Sequence, residues 1–177
     1  MIVYRNSDPR YWQLWMLNTQ PAARWHGTGE GPADYFADTP TGAWAEFLRH
    51  EEITDPNDLA GVQRSIWAVD IPQDFIEAAR SPRLPLDVMT GDPSSYAACQ
   101  DEARRLRRQG ATALLAPSAA VKRGEAAGWR MDPQDTRGPS RDGQTIVLFT
   151  HPAELVGWCA VRYGQPEPRT VDSVHHF

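Results

Sequence analysis

An arginine, a tyrosine and a glutamate recur at equal intervals in one stretch of the chain. They are Arg24, Tyr35 and Glu46, within ARWHGTGEGPADYFADTPTGAWAEFLR at residues 23–49. Glu46 lies between Ala43 and His50 at the border of an apolar helical stripe, where a carboxylate loses part of its solvent and needs a partner. Arg24 is the obvious partner. The pattern leaves open whether Glu46 belongs to a local ion pair, is simply solvated, or serves a site. Ser118, beside Pro117 at the end of a strand pattern, suits either a cleft wall or an ordinary turn.

Three elements must position these groups. His26 to Pro32 holds three glycines and a proline among polar residues, and reads as a loop whose backbone can approach something closely. Asp34 to Ala37 is short and aromatic, which predicts a strand. Thr39 then supplies an N-cap hydroxyl and Pro40 fits the first helical position, so a helix is expected to about His50. Ala43, Trp44, Phe47 and Leu48 form its apolar stripe.

The 177 residues suit one domain with a substantial core, expected over 1–165, followed by a C-terminal tail at 166–177. A hydrophobic content of 41% with seven tryptophans and fifteen prolines favours a loop-rich α+β protein over a disordered chain. The net charge of −5 and scattered basic residues argue against direct nucleic-acid binding. The one basic run, Arg104, Arg105, Arg107 and Arg108, falls in the last turn of a predicted helix, where cations complement the dipole and face solvent. Cys99 and Cys159 show no metal or redox spacing and read as buried thiols of a reducing cytosol. No signal peptide and no membrane-length apolar run occur, so a soluble cytoplasmic protein is expected, with no membrane partner.

Along the chain, Ile2 to Arg5 predicts a first strand, followed by an Asn-Ser-Asp-Pro turn. Trp12, Trp15 and Met16 are expected to pack on the core. Glu51 to Gly61 and Arg80 to Pro93 read as irregular. Ser65 to Ile71 predicts a strand ending at Pro72. Asp92 caps a helix opening at Pro93 and closing at Gly110, the clearest element in the sequence. Ala111 to Ala116, Thr145 to Phe149 and Leu155 to Tyr163 predict strands, and Lys122 to Gly143 a surface excursion. His175-His176-Phe177 reads as a mobile end rather than a metal site. No phosphate-loop, dinucleotide, zincin or nucleophile-elbow motif is present.

Arg24-Trp25 before a glycine-rich loop, then Tyr35-Phe36-Ala37, Ala43 to Glu46, and Pro117-Ser118 together resemble the RES domain family. That family is named for an arginine, a glutamate and a serine, matched here by Arg24, Glu46 and Ser118. The resemblance runs from the VYR strand to Leu148-Phe149. It implies an α+β fold, a mixed β-sheet core flanked by helices, similar to ADP-ribosyltransferase toxins. It also implies a bacterial toxin of a type II toxin–antitoxin pair that consumes NAD+ by phosphorolysis or hydrolysis. The NAD+ would be a substrate, with no bound cofactor, and an Xre-type helix-turn-helix antitoxin would cover the site. Two alternatives accompany this reading: transfer of ADP-ribose to a protein, and a non-catalytic partner in a regulatory complex. The tryptophan content leaves room for a homodimer.

On that resemblance, Glu46 stabilises positive charge on the ribose as the nicotinamide bond breaks. Arg24 holds phosphate oxygens through its planar fork. Tyr35 stacks on nicotinamide or hydrogen-bonds across the cleft, Trp25 forms a second aromatic wall, and Ser118 bonds ribose or phosphate without acting as a nucleophile. The sequence departs from the family at His26, where asparagine is common, and in the acidity of the Gly27–Asp34 loop. Both are expected to bear on substrate preference.

Overall fold

The opening strand β1 (Ile2–Ser7) runs two residues beyond the predicted IVYR because Asn6 and Ser7 continue the ladder, opposite Ile66 and Ser65. In this computed structural model, which describes residues 1–12, 20–134, 136–150 and 155–177, β2 follows at Asp34–Ala37 and helix α1 at Pro40–His50. The Thr39 hydroxyl accepts the Gly42 N–H at 3.0 Å and Pro40 stands at the start of the helix, as the local chemistry dictates. A 3₁₀ turn at Pro56–Gly61 precedes β3 (Arg64–Asp70). Two short helices the sequence did not reveal follow, α2 (Gln73–Ala78) and α3 (Leu86–Thr90). Each opens directly after a proline and has no side-chain cap bond, so the capping signals that located α1 are missing.

Asp92 accepts the Ser94 N–H and starts a 3₁₀ turn at Pro93–Ser95, which leads into α4 (Tyr96–Arg108). Gly110 takes a left-handed φ of 81° just after it, the reversal the glycine permits. β4 (Ala113–Pro117), β5 (Gln144–Leu148) and β6 (Val156–Gly164) complete one sheet of order β4-β5-β2-β1-β3-β6, with a last 3₁₀ turn at Pro168–Ser173. Every strand pair in that sheet is antiparallel, and Arg80 and Leu114 add one parallel bridge at its β4 edge. The chain thus has the α+β class expected, a sheet flanked by helices, with antiparallel strand pairs where a mixed sheet was expected.

Alternate residues of each strand point to opposite sheet faces. Val3, Phe36, Trp67, Val69, Ile146 and Leu148 form one core with Phe75 and Ile76 of α2. On the other face, Leu114, Ala116 and Val147 pack with Cys99, Ala103 and Leu106 of α4, while Ala37 and Ile66 pack with Ala43 and Trp44 of α1. Helix α1 therefore lies over the middle of the sheet, across β2 and β1.

Three expectations are corrected. Cys159 is exposed, because β6 is an edge strand paired only to β3. Trp12 is 69% exposed and meets only the rim of the core, its ring 6.2 Å from that of Trp67; Trp15 and Met16 lie outside the described residues. The C-terminal segment is docked. Val171 and Val174 bury against Ala45, Leu48 and Leu59, and Val174 bridges Val121. Among the described residues, no helix is long and apolar enough to cross a membrane.

Candidate active site

The face of α1 that meets the sheet carries Glu46 to the floor of a cleft of about 460 Å³. Glu46 is half-buried. Its Oε1 accepts the Thr145 hydroxyl at 3.3 Å and the Ser118 hydroxyl at 3.5 Å, one from the start of β5 and one from the turn after β4. No described residue hydrogen-bonds Oε2. Burial pushes this carboxyl above its usual range, and Arg49, Thr145, Arg24 and Ser118 oppose the shift.

Arg24 and Glu46 are not an ion pair. Arg24 is buried, and both its terminal nitrogens are engaged by the segment around α3: Nη2 donates to the Gly91 carbonyl at 2.7 Å, and Nη1 to Ser95 Oγ at 3.1 Å and the Val88 carbonyl at 3.5 Å. Its guanidinium stacks 4.6 Å over the Tyr96 ring. The fork expected to hold phosphate thus braces the cleft wall and reaches Glu46 through its field.

A second buried arginine, not singled out from the sequence, stands beside it. Arg49 donates to the carbonyls of Ala119, His175, Thr90 and Gly91, and its guanidinium lies 4.1 Å over the ring of Phe177. The available signal was its position, three residues after Glu46 on the same helix, where side chains are neighbours. Thr145 and Arg64 were missed as well, since each reaches the cleft only through strand pairing.

Tyr35, Trp25 and His26 form one hydrogen-bonded unit. The Tyr35 hydroxyl accepts the Trp25 N–H at 2.9 Å and lies 2.9 Å from His26 Nδ1, while His26 Nε2 lies 2.8 Å from the Pro21 carbonyl. A carbonyl only accepts, so Nε2 carries the proton and Nδ1 accepts from Tyr35. Burial pushes the His26 pKa down, keeping the ring neutral, and pushes the Tyr35 hydroxyl well up. Both hydrogen-bonding capacities of that hydroxyl are met inside the protein, so Tyr35 offers the cleft its ring.

Arg24, Tyr35 and Glu46 are brought together as lining of one cleft, which Trp25 also borders, but the Trp25 side chain expected as a second aromatic wall is buried in the core against α4. His26 is buried and does not line it. Ser118 accepts the Ala120 and Val121 N–H groups at 3.2 Å each, and lies between Glu46 and a second cavity of about 670 Å³. The acidic loop turns away: Glu30 binds the Gly27 N–H at 2.7 Å and Arg104 Nη1 at 2.5 Å, and Arg107 donates to the Glu30 carbonyl. Two members of the arginine run therefore clamp this loop to α4 and are only half-exposed. Neither departure from the family pattern falls on the cleft surface. Among the described residues, no group of three or more His, Cys, Asp or Glu side chains could hold a metal ion.

The sequence matches the model of the RES domain over residues 3–158. The fold is similar to that of a chain in the crystal structure of the M. tuberculosis MbcT–MbcA toxin–antitoxin complex, with a TM-score of 0.53 at 15% identity, covering 97% of this chain and 86% of that one. Among curated proteins, none matches the sequence.

Proposed function

Because the chain belongs to the RES domain family, we propose that it is a toxin that cleaves the nicotinamide–ribose bond of NAD+ and is neutralised by an antitoxin. The observation that carries this reading is Glu46: a carboxylate on a cleft floor, with one oxygen fixed by two hydroxyls and the other open. In the reaction, the bond from ribose C1′ to the pyridinium nitrogen breaks and its electron pair neutralises that nitrogen. Positive charge spreads over C1′ and the ring oxygen, and the fixed carboxylate stabilises it without reorganising. A water or phosphate oxygen then bonds to C1′; water gives ADP-ribose and a proton, and phosphate gives the ribosyl phosphate.

The remaining groups have supporting roles. Thr145 and Ser118 aim Glu46, and Arg49 and Arg24 oppose the rise in its pKa that burial causes. Tyr35 and Tyr96 supply aromatic surface suited to a flat pyridinium ring. The antitoxin reading follows the family resemblance and the neighbouring toxin–antitoxin complex, with an Xre-type helix-turn-helix protein as the partner proposed.

The test is to incubate the protein with NAD+, with and without phosphate, and follow nicotinamide release against Glu46→Gln. Release dependent on Glu46 is expected, and phosphate dependence identifies the acceptor. Equal release by both proteins would remove Glu46 from the mechanism.

A further inference from the structure

Four arginines line the cleft, and three of them are engaged by the protein itself. Arg24 and Arg49 are bound by backbone carbonyls, and Arg5 donates to Asp34 Oδ1 at 2.6 Å. Arg64, at the start of β3, differs. Its Nε donates to Asn6 Oδ1 at 2.7 Å and its guanidinium lies 4.9 Å over the Phe47 ring, but neither terminal nitrogen has a hydrogen-bond or ion-pair partner among the described residues.

Asn6 strengthens the contrast. Because Nε–H can only donate, the amide oxygen must face Arg64, which fixes the amide orientation. Its Nδ2 is then left buried without a partner among the described residues, a costly arrangement for a protein to keep unless something accepts from it. Asn6 and Arg64 lie on adjacent strands and on the sheet face covered by α1, in the same register set as Tyr4 and Ile66. Phe47, against which Arg64 stacks, follows Glu46 directly.

We propose that Arg64 and Asn6 form an anion subsite that takes the diphosphate of a dinucleotide substrate. This deepens the reading of Glu46 as the bond-cleaving carboxylate and rests on it. The guanidinium plane, steadied by Phe47, presents a planar fork of the kind that binds phosphate oxygens two at a time. Position separates this anion from an attacking phosphate. Thr145 on β5 and Arg64 on β3 are three strand spacings apart in the sheet, roughly 14 Å. An acceptor phosphate must sit at C1′ beside Glu46, whereas a diphosphate lies beyond a ribose, towards β3. Two carboxylates act on Arg64 from a distance: Asp8, which is bound by Arg10, and Glu51, which is exposed at the cleft mouth. Neither occupies the fork.

The experiment is calorimetric titration of wild type, Arg64→Gln and Asn6→Asp with ADP-ribose, inorganic pyrophosphate and nicotinamide riboside. Arg64→Gln should weaken ADP-ribose and pyrophosphate at least tenfold and change the phosphate-free riboside by less than twofold. Asn6→Asp keeps an acceptor for Arg64 but adds negative charge to the subsite, so it should lose the two phosphate ligands likewise; it decides the matter if Arg64→Gln does not fold. ADP-ribose and pyrophosphate affinities within twofold of wild type in the folded variants would overturn the proposal. Arg64-dependent pyrophosphate binding by a protein that releases no nicotinamide would sink the NAD+ reading and keep the anion subsite. Glu46-dependent release with an Arg64→Gln KM like that of wild type would do the reverse.

Discussion

Arg24 and Arg49 donate to the same acceptor: the Gly91 carbonyl lies 2.7 Å from Nη2 of one and 2.9 Å from Nη2 of the other. Two like charges are thereby held together beside Glu46, and each lowers the cost of ionising that carboxylate. The positive field is built into the wall of the cleft and does not depend on a mobile side chain.

Arg49→Met tests that arrangement. It leaves the carbonyls of Ala119, His175, Thr90 and Gly91 short of a donor and removes the stack with Phe177, so a loss of about 3 kcal/mol in unfolding free energy is expected. Arg49 is also the strongest influence holding down the Glu46 pKa. The acid limb of the rate profile should therefore move to higher pH in this variant, which a pH series of kcat/KM will show. An unmoved limb would mean that the arginine does not set the charge on Glu46.

Glu46→Gln should reduce nicotinamide release by about 10² or more, as for other groups that face charge developing in a transition state. Stability should change in the opposite sense. Burial raises the folded pKa of Glu46 above its unfolded value, so the folded state holds the proton more tightly and loses stability as pH rises through that window. Glu46→Gln escapes this loss. Its melting temperature should match wild type in acid and exceed it at neutral pH; a difference independent of pH would show that Glu46 is not desolvated.

Ser118→Ala and Thr145→Val each remove one of the two hydroxyls on Glu46 Oε1. Each should lower kcat by about tenfold with little change in KM, because a carboxylate that wanders is misaligned without being absent. The double variant should fall short of the product of the two effects, since both act on one oxygen. Strict multiplication would indicate separate roles.

His26→Asn addresses acid sensitivity. The folded pKa of His26 lies below its ordinary 6.5, so the unfolded chain binds the proton more readily. The stabilisation from neutral His26 is full above about pH 6.5 and is lost progressively as pH falls from there through the lower folded value. The variant should lose less stability than wild type on acidification, measured as melting temperature against pH. Parallel curves would show that another group carries the sensitivity.

Local chemistry made β2, α1 and α4 legible, because Thr39, Pro40, Asp92 and Gly110 act on their immediate neighbours. Glu46 was legible too, as a carboxylate out of place on an apolar stripe. Arg49, Arg64 and Thr145 were not, because their roles come from segments brought together only by the sheet. The same limit explains Arg24, whose acceptors Gly91 and Ser95 lie far along the chain. It also explains the tail, where Val171 and Val174 gained significance only once Ala45 and Leu48 were beneath them.

The sheet order also sets a timetable. Glu46 is fixed by Thr145, which follows it by 99 residues, and β2 is closed on one side only when β5 pairs with it. At about 5–20 residues per second, a ribosome needs roughly 5–20 s to pass from one to the other. For that interval the helix bearing the carboxylate exists without the strand that aims it. The floor of the cleft is among the last parts of the chain to be assembled, so a nascent or truncated copy lacking β5 has no aligned Glu46.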